Sequence, residues 1–278
     1  MNRALCGVKL AWIDAAEGAI RVVMAFRERP ANVNQKRDRL RRMLEAHADP
    51  ARARQEAAYL KLEDREVLGV TMPTVHKVAV RYVREAGLPR DLDLLARWFD
   101  ASFEEASCAV EFLAAQPAFD QATWGLAARW SGSPDTWALA DPLSAFVVAG
   151  HLEDGIIEED QLRAWAGREE PFWFRRIALV STTSLNGGLG GPSKRQIATL
   201  GRAPNIGSRP RPGLTIDPLD SSIHDSRHFI RLGIGWALRE LARVAPAAAA
   251  EFVVRHRDRI TKAMLTKARL DESGLRTV

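Results

Sequence analysis

The stretch HFIRLGIGWALRELARV, residues 228 to 244, has the spacing of a helix packed on a core. At about 100° per residue, Ile230, Ile234, Ala237, Leu238 and Leu241 form one apolar stripe. Trp236, Arg239 and Arg243 fall together on the far side. An indole there does not share the core of the Ile and Leu residues. Either it packs on a neighbouring helix of a multilayer fold, or it belongs to a surface where a ring and guanidinium groups meet a ligand with sugar and phosphate parts.

The same periodicity recurs upstream, nearly throughout from residue 36. RDRLRRMLEAHA, TVHKVAVRYVREAG, DLDLLARWFDA and FEEASCAVEFLAAQP follow one another with short connectors, and no run alternates as a strand would. Gly87, Pro89, Pro117, Pro134, Pro171 and Pro246 punctuate the series as helix stops and starts. The pattern predicts an all-α chain, an α-solenoid of antiparallel helix pairs over residues 35–271. No strict repeat fixes its period, so an irregular helical bundle is the competing architecture.

Composition sets limits. A chain of 278 residues, 46% hydrophobic and 27% charged, is ordinary globular protein rather than disordered chain. Its 40 Lys and Arg against 35 Asp and Glu permit a polyanion partner without requiring one. Cys6 and Cys108 are the only cysteines, which excludes a disulfide framework and argues against structural zinc or iron–sulfur clusters. Lys9, Asp14, Glu17 and Arg21 interrupt the apolar N-terminus, against a spanning helix or signal-peptide core; the expected location is cytoplasmic.

Two segments break the helical pattern. Residues 1–34 lack clear caps and read as an appended extension. Residues 186–225 are rich in Gly and Pro, carry Lys194, Arg195, Arg202, Arg209 and Arg211, and read as a long mobile basic loop, dispensable for folding. The GGLGGPSK within them is not a phosphate-binding loop, because Ser193 stands where that motif needs Gly and no strand precedes it.

DTWALADPLS, residues 135 to 144, places Trp137 and Asp141 on one helical face, one turn apart. The plain alternative makes Trp137 core and Asp141 the N-cap of a helix starting at Pro142. In PFWFRRIALVST, Arg175 and Arg176 lie inside an apolar helix, so at least one must reach a carboxylate, a phosphate or water.

The order and wording of these segments resembles the bacterial DNA alkylation repair glycosylases built from HEAT-like helical repeats, the AlkD-like family. AAYLKL and LGVTMP resemble its N-terminal signature, DTWALADPLS its Trp-x-x-x-Asp segment, PFWFRRIALVST its Trp-x-x-Arg helix and HFIRLGIGWALREL its late Gly-Trp-x-x-Arg helix. The resemblance implies a HEAT-like α-solenoid with a concave basic surface. It puts the catalytic carboxylate on Asp141, the two site tryptophans on Trp137 and Trp236, and the functional arginine on Arg176. Arg239 matches a DNA-facing arginine, Tyr59 a tyrosine beside the DNA, and Arg243 joins them as a phosphate contact. Thr71 stands where relatives can carry Gln, and Leu232 replaces a basic residue for which Arg231 can compensate. Arg176 and Trp236 lie 236 − 176 = 60 residues apart, more than is usual in the family, because residues 186–225 intervene.

The implied activity is excision of N3- and N7-alkylated purines from duplex DNA by a monomer, without cofactor, membrane or nucleotide, and without rotating the base into a pocket. Asp141 would oppose the sugar cation that develops as the glycosidic bond breaks, with Trp137 and Trp236 flanking the sugar. Two other classes of function stay open: an inactive binder of DNA structure, and a helical scaffold whose tryptophans anchor a protein partner.

Overall fold

The computed structural model describes residues 30–187, 191–202, 206–207 and 210–276. Helices follow in the order α1 (Pro30–Glu45), α2 (Pro50–Leu60), α3 (Met72–Ala86), α4 (Leu92–Phe99), α5 (Phe103–Ala114), α6 (Gln121–Trp130) and α7 (Trp137–Pro142). A π-helical stretch, Leu143–Val148, leads into α8 (Ala149–Glu153), α9 (Glu159–Ala166) and α10 (Trp173–Leu185). The chain continues through α11 (Gly191–Ala198), α12 (Pro212–Ser222), α13 (His228–Val244), α14 (Pro246–Arg255) and α15 (Lys262–Ala268). Among the described residues there is no strand, only an isolated bridge between Leu270 and Arg276. None of the described helices is long and apolar enough to cross a membrane. Of the segment read as an extension, residues 1–29 lie outside the described residues, and Pro30 already opens α1.

Local chemistry explains the helix starts. Asp49, Asp91 and Asp120 accept hydrogen bonds from the first free N–H groups of α2, α4 and α6, and Ser102 with Glu105 forms a capping box on α5. The LGV of the N-terminal signature is held by a buried carboxylate: Glu104 accepts from the N–H groups of Leu68, Gly69 and Val70 at 2.8–3.0 Å. Gly69 has φ +78°, and a Cβ there would meet Asp49 O at 2.2 Å, so the turn admits only glycine. Thr71 next to it caps α3, its hydroxyl accepting from Thr74 N–H. Thr71, which stands where relatives can carry Gln, thus serves as a helix cap.

Two buried clusters fill the interior. One runs from Leu40 on α1 to Leu214 on α12, and the other gathers around α13, α14 and α15 with Leu179 and Leu219. The stripe read from the α13 sequence is fully buried in the second cluster. α13 packs against α15, α10 and α14, and α10 also packs on the π-helical stretch and α7. These contacts bring α7, α10, α13 and α15 around one point.

The reading of residues 186–225 as a mobile loop is corrected. They contain α11 and α12, and Ile197, Leu200, Ile206, Leu214 and Leu219 are buried. Gln196 donates to Glu111 at 3.0 Å, Thr199 meets His76 at 3.2 Å, and Arg202 makes a two-pronged contact with Asp154 at 2.7 Å. Arg211 pairs with Glu159 and Glu153. A few apolar side chains, too sparse to stand out among Gly and Pro, dock the segment. The side chain of Lys194 and all of Arg209 lie outside the described residues. That docking predicts a cost: Ile197→Ala combined with Leu200→Ala should lose about 4 kcal/mol or more, at roughly 2–5 kcal/mol per buried aliphatic truncated. Urea unfolding would show it, and an unchanged midpoint would contradict the docking.

Candidate active site

Thr136 caps α7, its hydroxyl accepting from Ala138 N–H, so the helix begins at Trp137. Asp141 therefore lies in the second turn and is not an N-cap, and Pro142 sits inside the helix rather than at its start. Proline brings no N–H to the ladder, and the chain beyond it winds as a π-helix before α8 resumes. Ser144 Oγ donates to Ala140 O, Ser181 Oγ to Ser144 O, and buried His151 Nδ1 to Val147 O. These bonds stabilise the widened turns that follow Asp141.

Arg176 reaches Asp141 from α10. Its Nε donates to Oδ1 and its Nη2 to Oδ2, both at 2.9 Å, while Nη1 donates to the carbonyl of Phe229 on α13. Such a bidentate fork fixes the plane of the carboxylate as well as its position. The Arg176 side chain is 5% exposed and that of Asp141 15%. Arg175 is likewise internal, donating to Ala166 O and pairing with Asp225. Both arginines of the FRR segment thus find partners inside the protein. Burial pushes the Asp141 carboxyl above the ordinary Asp value of 3.8, while the Arg176 guanidinium and, more weakly, Lys267 pull it back toward the ionised form.

Aromatic rings border this carboxylate. Trp137 is half-buried one turn before it, and Tyr59 at the end of α2 meets Trp137 edge-on with ring centres 6.0 Å apart. Tyr59 is 71% exposed, an aromatic ring offered to solvent beside the site. Phe229 stacks near Trp173 at 5.9 Å and carries Arg176 Cζ at 5.9 Å from its ring centre. Trp236 lies 236 − 229 = 7 residues further along α13, two turns on and on the same face as Phe229, half-buried with Arg239 Cζ 5.9 Å from its ring.

Two of the remaining arginines meet a carboxylate of their own helix. Arg239 Nε donates to Glu240 at 2.9 Å and Arg243 Nη1 to the same carboxylate at 2.7 Å. The Glu240 side chain is 2% exposed, so a buried negative charge already anchors both guanidinium groups. Arg231 is half-buried and lines a cavity of about 250 Å³ with Ser226, His228, Leu232 and Thr261. Among the described residues no group of three or more His, Cys, Asp and Glu side chains is placed to hold a metal ion.

Two participants escaped the sequence reading. Phe229 accepts from Arg176 and lies under it; its seven-residue spacing to Trp236 was the available signal. Lys267 comes from α15, brought close because Gly235 has no side chain: a Cβ there would lie 2.8 Å from both Lys267 Cβ and Met264 O.

A buried carboxylate clamped by arginine, one helical turn from a half-exposed tryptophan in an all-helical chain, agrees with what sequence comparison finds. The family model described as "DNA alkylation repair enzyme" matches residues 40–270, and the chain belongs to that family. Among solved structures it is similar to a "Predicted DNA alkylation repair enzyme from Enterococcus faecalis", with a TM-score of 0.61 and 16% identity over 80% of this chain and 95% of that one. At that identity the likeness speaks for the fold. No curated protein matches the chain in sequence.

Proposed function

We propose that this member of the family is a DNA glycosylase that releases N3- and N7-alkylated purines from duplex DNA, acting as a monomer whose helices stack in HEAT-like pairs with a concave basic face. The observation that carries the proposal is the Asp141 carboxylate, buried, clamped by Arg176 and one turn from the half-exposed Trp137. An alkylated purine is already cationic. When its bond to C1′ breaks, the electron pair leaves with the base, which becomes neutral, and positive charge develops on the sugar. Each Asp141 oxygen accepts one N–H from Arg176 and keeps a further acceptor site, so the carboxylate can face that charge and take the proton of the adding water. At about 4 Å and an effective dielectric near 20, a carboxylate stabilises a unit cation by about 4 kcal/mol. Trp137 and Trp236 would offer π faces to the same cation.

Because the leaving group supplies its own charge, discrimination should follow that charge rather than base shape. 7-Methylguanine and 3-methyladenine should be released from duplex DNA, whereas uncharged lesions such as uracil should not. Equal release of charged and uncharged bases would overturn this mechanism. The pH dependence has a defined sign: only ionised Asp141 is active, so release should fall as pH drops, with the acid limb above 3.8. One observation favours a second reading, that of an inactive binder of DNA structure. Both Asp141 oxygens engage Arg176, as they would in a purely structural bridge.

A further inference from the structure

Arg176 is already engaged by Asp141 and Phe229, and Arg239 and Arg243 by Glu240, while two lysines beside the site have no such partner among the described residues. Lys61 and Lys267 are both exposed, and neither pairs with a carboxylate among the described residues. Lys61 follows Tyr59 by two residues, and its Nζ lies 5.8 Å from the centre of the Phe229 ring, the ring that also carries Arg176. Its backbone closes α2 in the left-handed region, at φ +57°, where glycine is the ordinary choice and a side chain costs of order 1 kcal/mol. A lysine at that strained position places its ammonium beside the site at a fixed point of the backbone. Lys267 approaches from α15 through the gap left by Gly235, near enough for its charge to act on Asp141. α2 and α15 lie near opposite ends of the described chain, so the fold itself assembles the pair.

We propose that Lys61 and Lys267 are the phosphate anchors of this site, each neutralising a backbone phosphate next to the nucleotide whose sugar faces Asp141. Arg239 and Arg243, matched by Glu240, chiefly secure α13 and the Trp236 ring. The inference rests on the glycosylase reading of the same site. Both lysines are positioning residues: they hold the duplex and take no part in bond breaking.

The test is the salt dependence of binding to a duplex containing 7-methylguanine, followed by fluorescence anisotropy. Each phosphate neutralised contributes about 0.9 to the slope of log affinity against log salt. Lys61→Ala and Lys267→Ala should each lower the slope by about one, and the double variant by about two. Lys61→Arg and Lys267→Arg should restore it, while Arg239→Ala leaves it near the wild-type value. Both lysines are exposed, so thermal midpoints should not move. A steep wild-type slope that neither lysine variant changes would overturn this assignment and leave the glycosylase reading standing. Absence of salt-dependent duplex binding by the wild type would overturn both.

Discussion

Asp141→Asn should retain duplex binding and lose release of 7-methylguanine by about a thousandfold. The substitution keeps the shape of the side chain and removes its charge, and about 4 kcal/mol of electrostatic stabilisation corresponds to roughly three decades in rate. Affinity should hold or rise slightly, since a negative charge near phosphates disappears. Because Thr136 caps α7, the effect cannot be a lost cap. Single-turnover release at saturating enzyme, beside anisotropy on the same duplex, separates chemistry from binding. Unaltered release by the variant would return Asp141 to a structural ion pair.

The second large effect belongs to Arg176. Arg176→Ala leaves Asp141 buried without its partner and the Phe229 carbonyl without its donor. Breaking such a pair costs about 3–5 kcal/mol, which for a chain of this size lowers the thermal midpoint by roughly 10 °C. Arg176 is the strongest influence holding the Asp141 carboxyl down, so its loss should move the acid limb of base release further upward. The salt slope should stay unchanged, since the guanidinium already engages Asp141 and Phe229 rather than a phosphate. Arg176→Lys should not rescue, because an ammonium cannot span both carboxylate oxygens. Calorimetry and a pH–rate profile of the variant would check these points; a stable protein with a reduced salt slope would instead make Arg176 a phosphate ligand.

The helices were legible where one face is apolar at regular spacing. α13 is the clearest case, its five stripe residues all buried. α11 and α12 were not, because Gly and Pro dominate the composition and only a few buried apolar side chains, such as Ile197, Leu214 and Leu219, mark each helix. At the site, Trp137 and Asp141 were readable as neighbours from their spacing alone. The partner of Asp141 was not: Arg176 lies 35 residues away, and an arginine in an apolar helix can answer to any of several anions. The partners of Arg176, Arg239 and Arg243 were hidden for one physical reason. Sequence shows a guanidinium but not the buried carboxylate, Asp141 or Glu240, that meets it. Lys267 was hidden for the converse reason, its nearness to Asp141 depending on the absent side chain of Gly235.

The measurement that bears most directly on the central claim is release of free base by the wild-type protein. Excess enzyme is incubated with a duplex carrying a single 7-methylguanine, and the products are separated by chromatography. Free 7-methylguanine appearing with an equal amount of abasic strand is the predicted result; a duplex that is bound and recovered intact would contradict it.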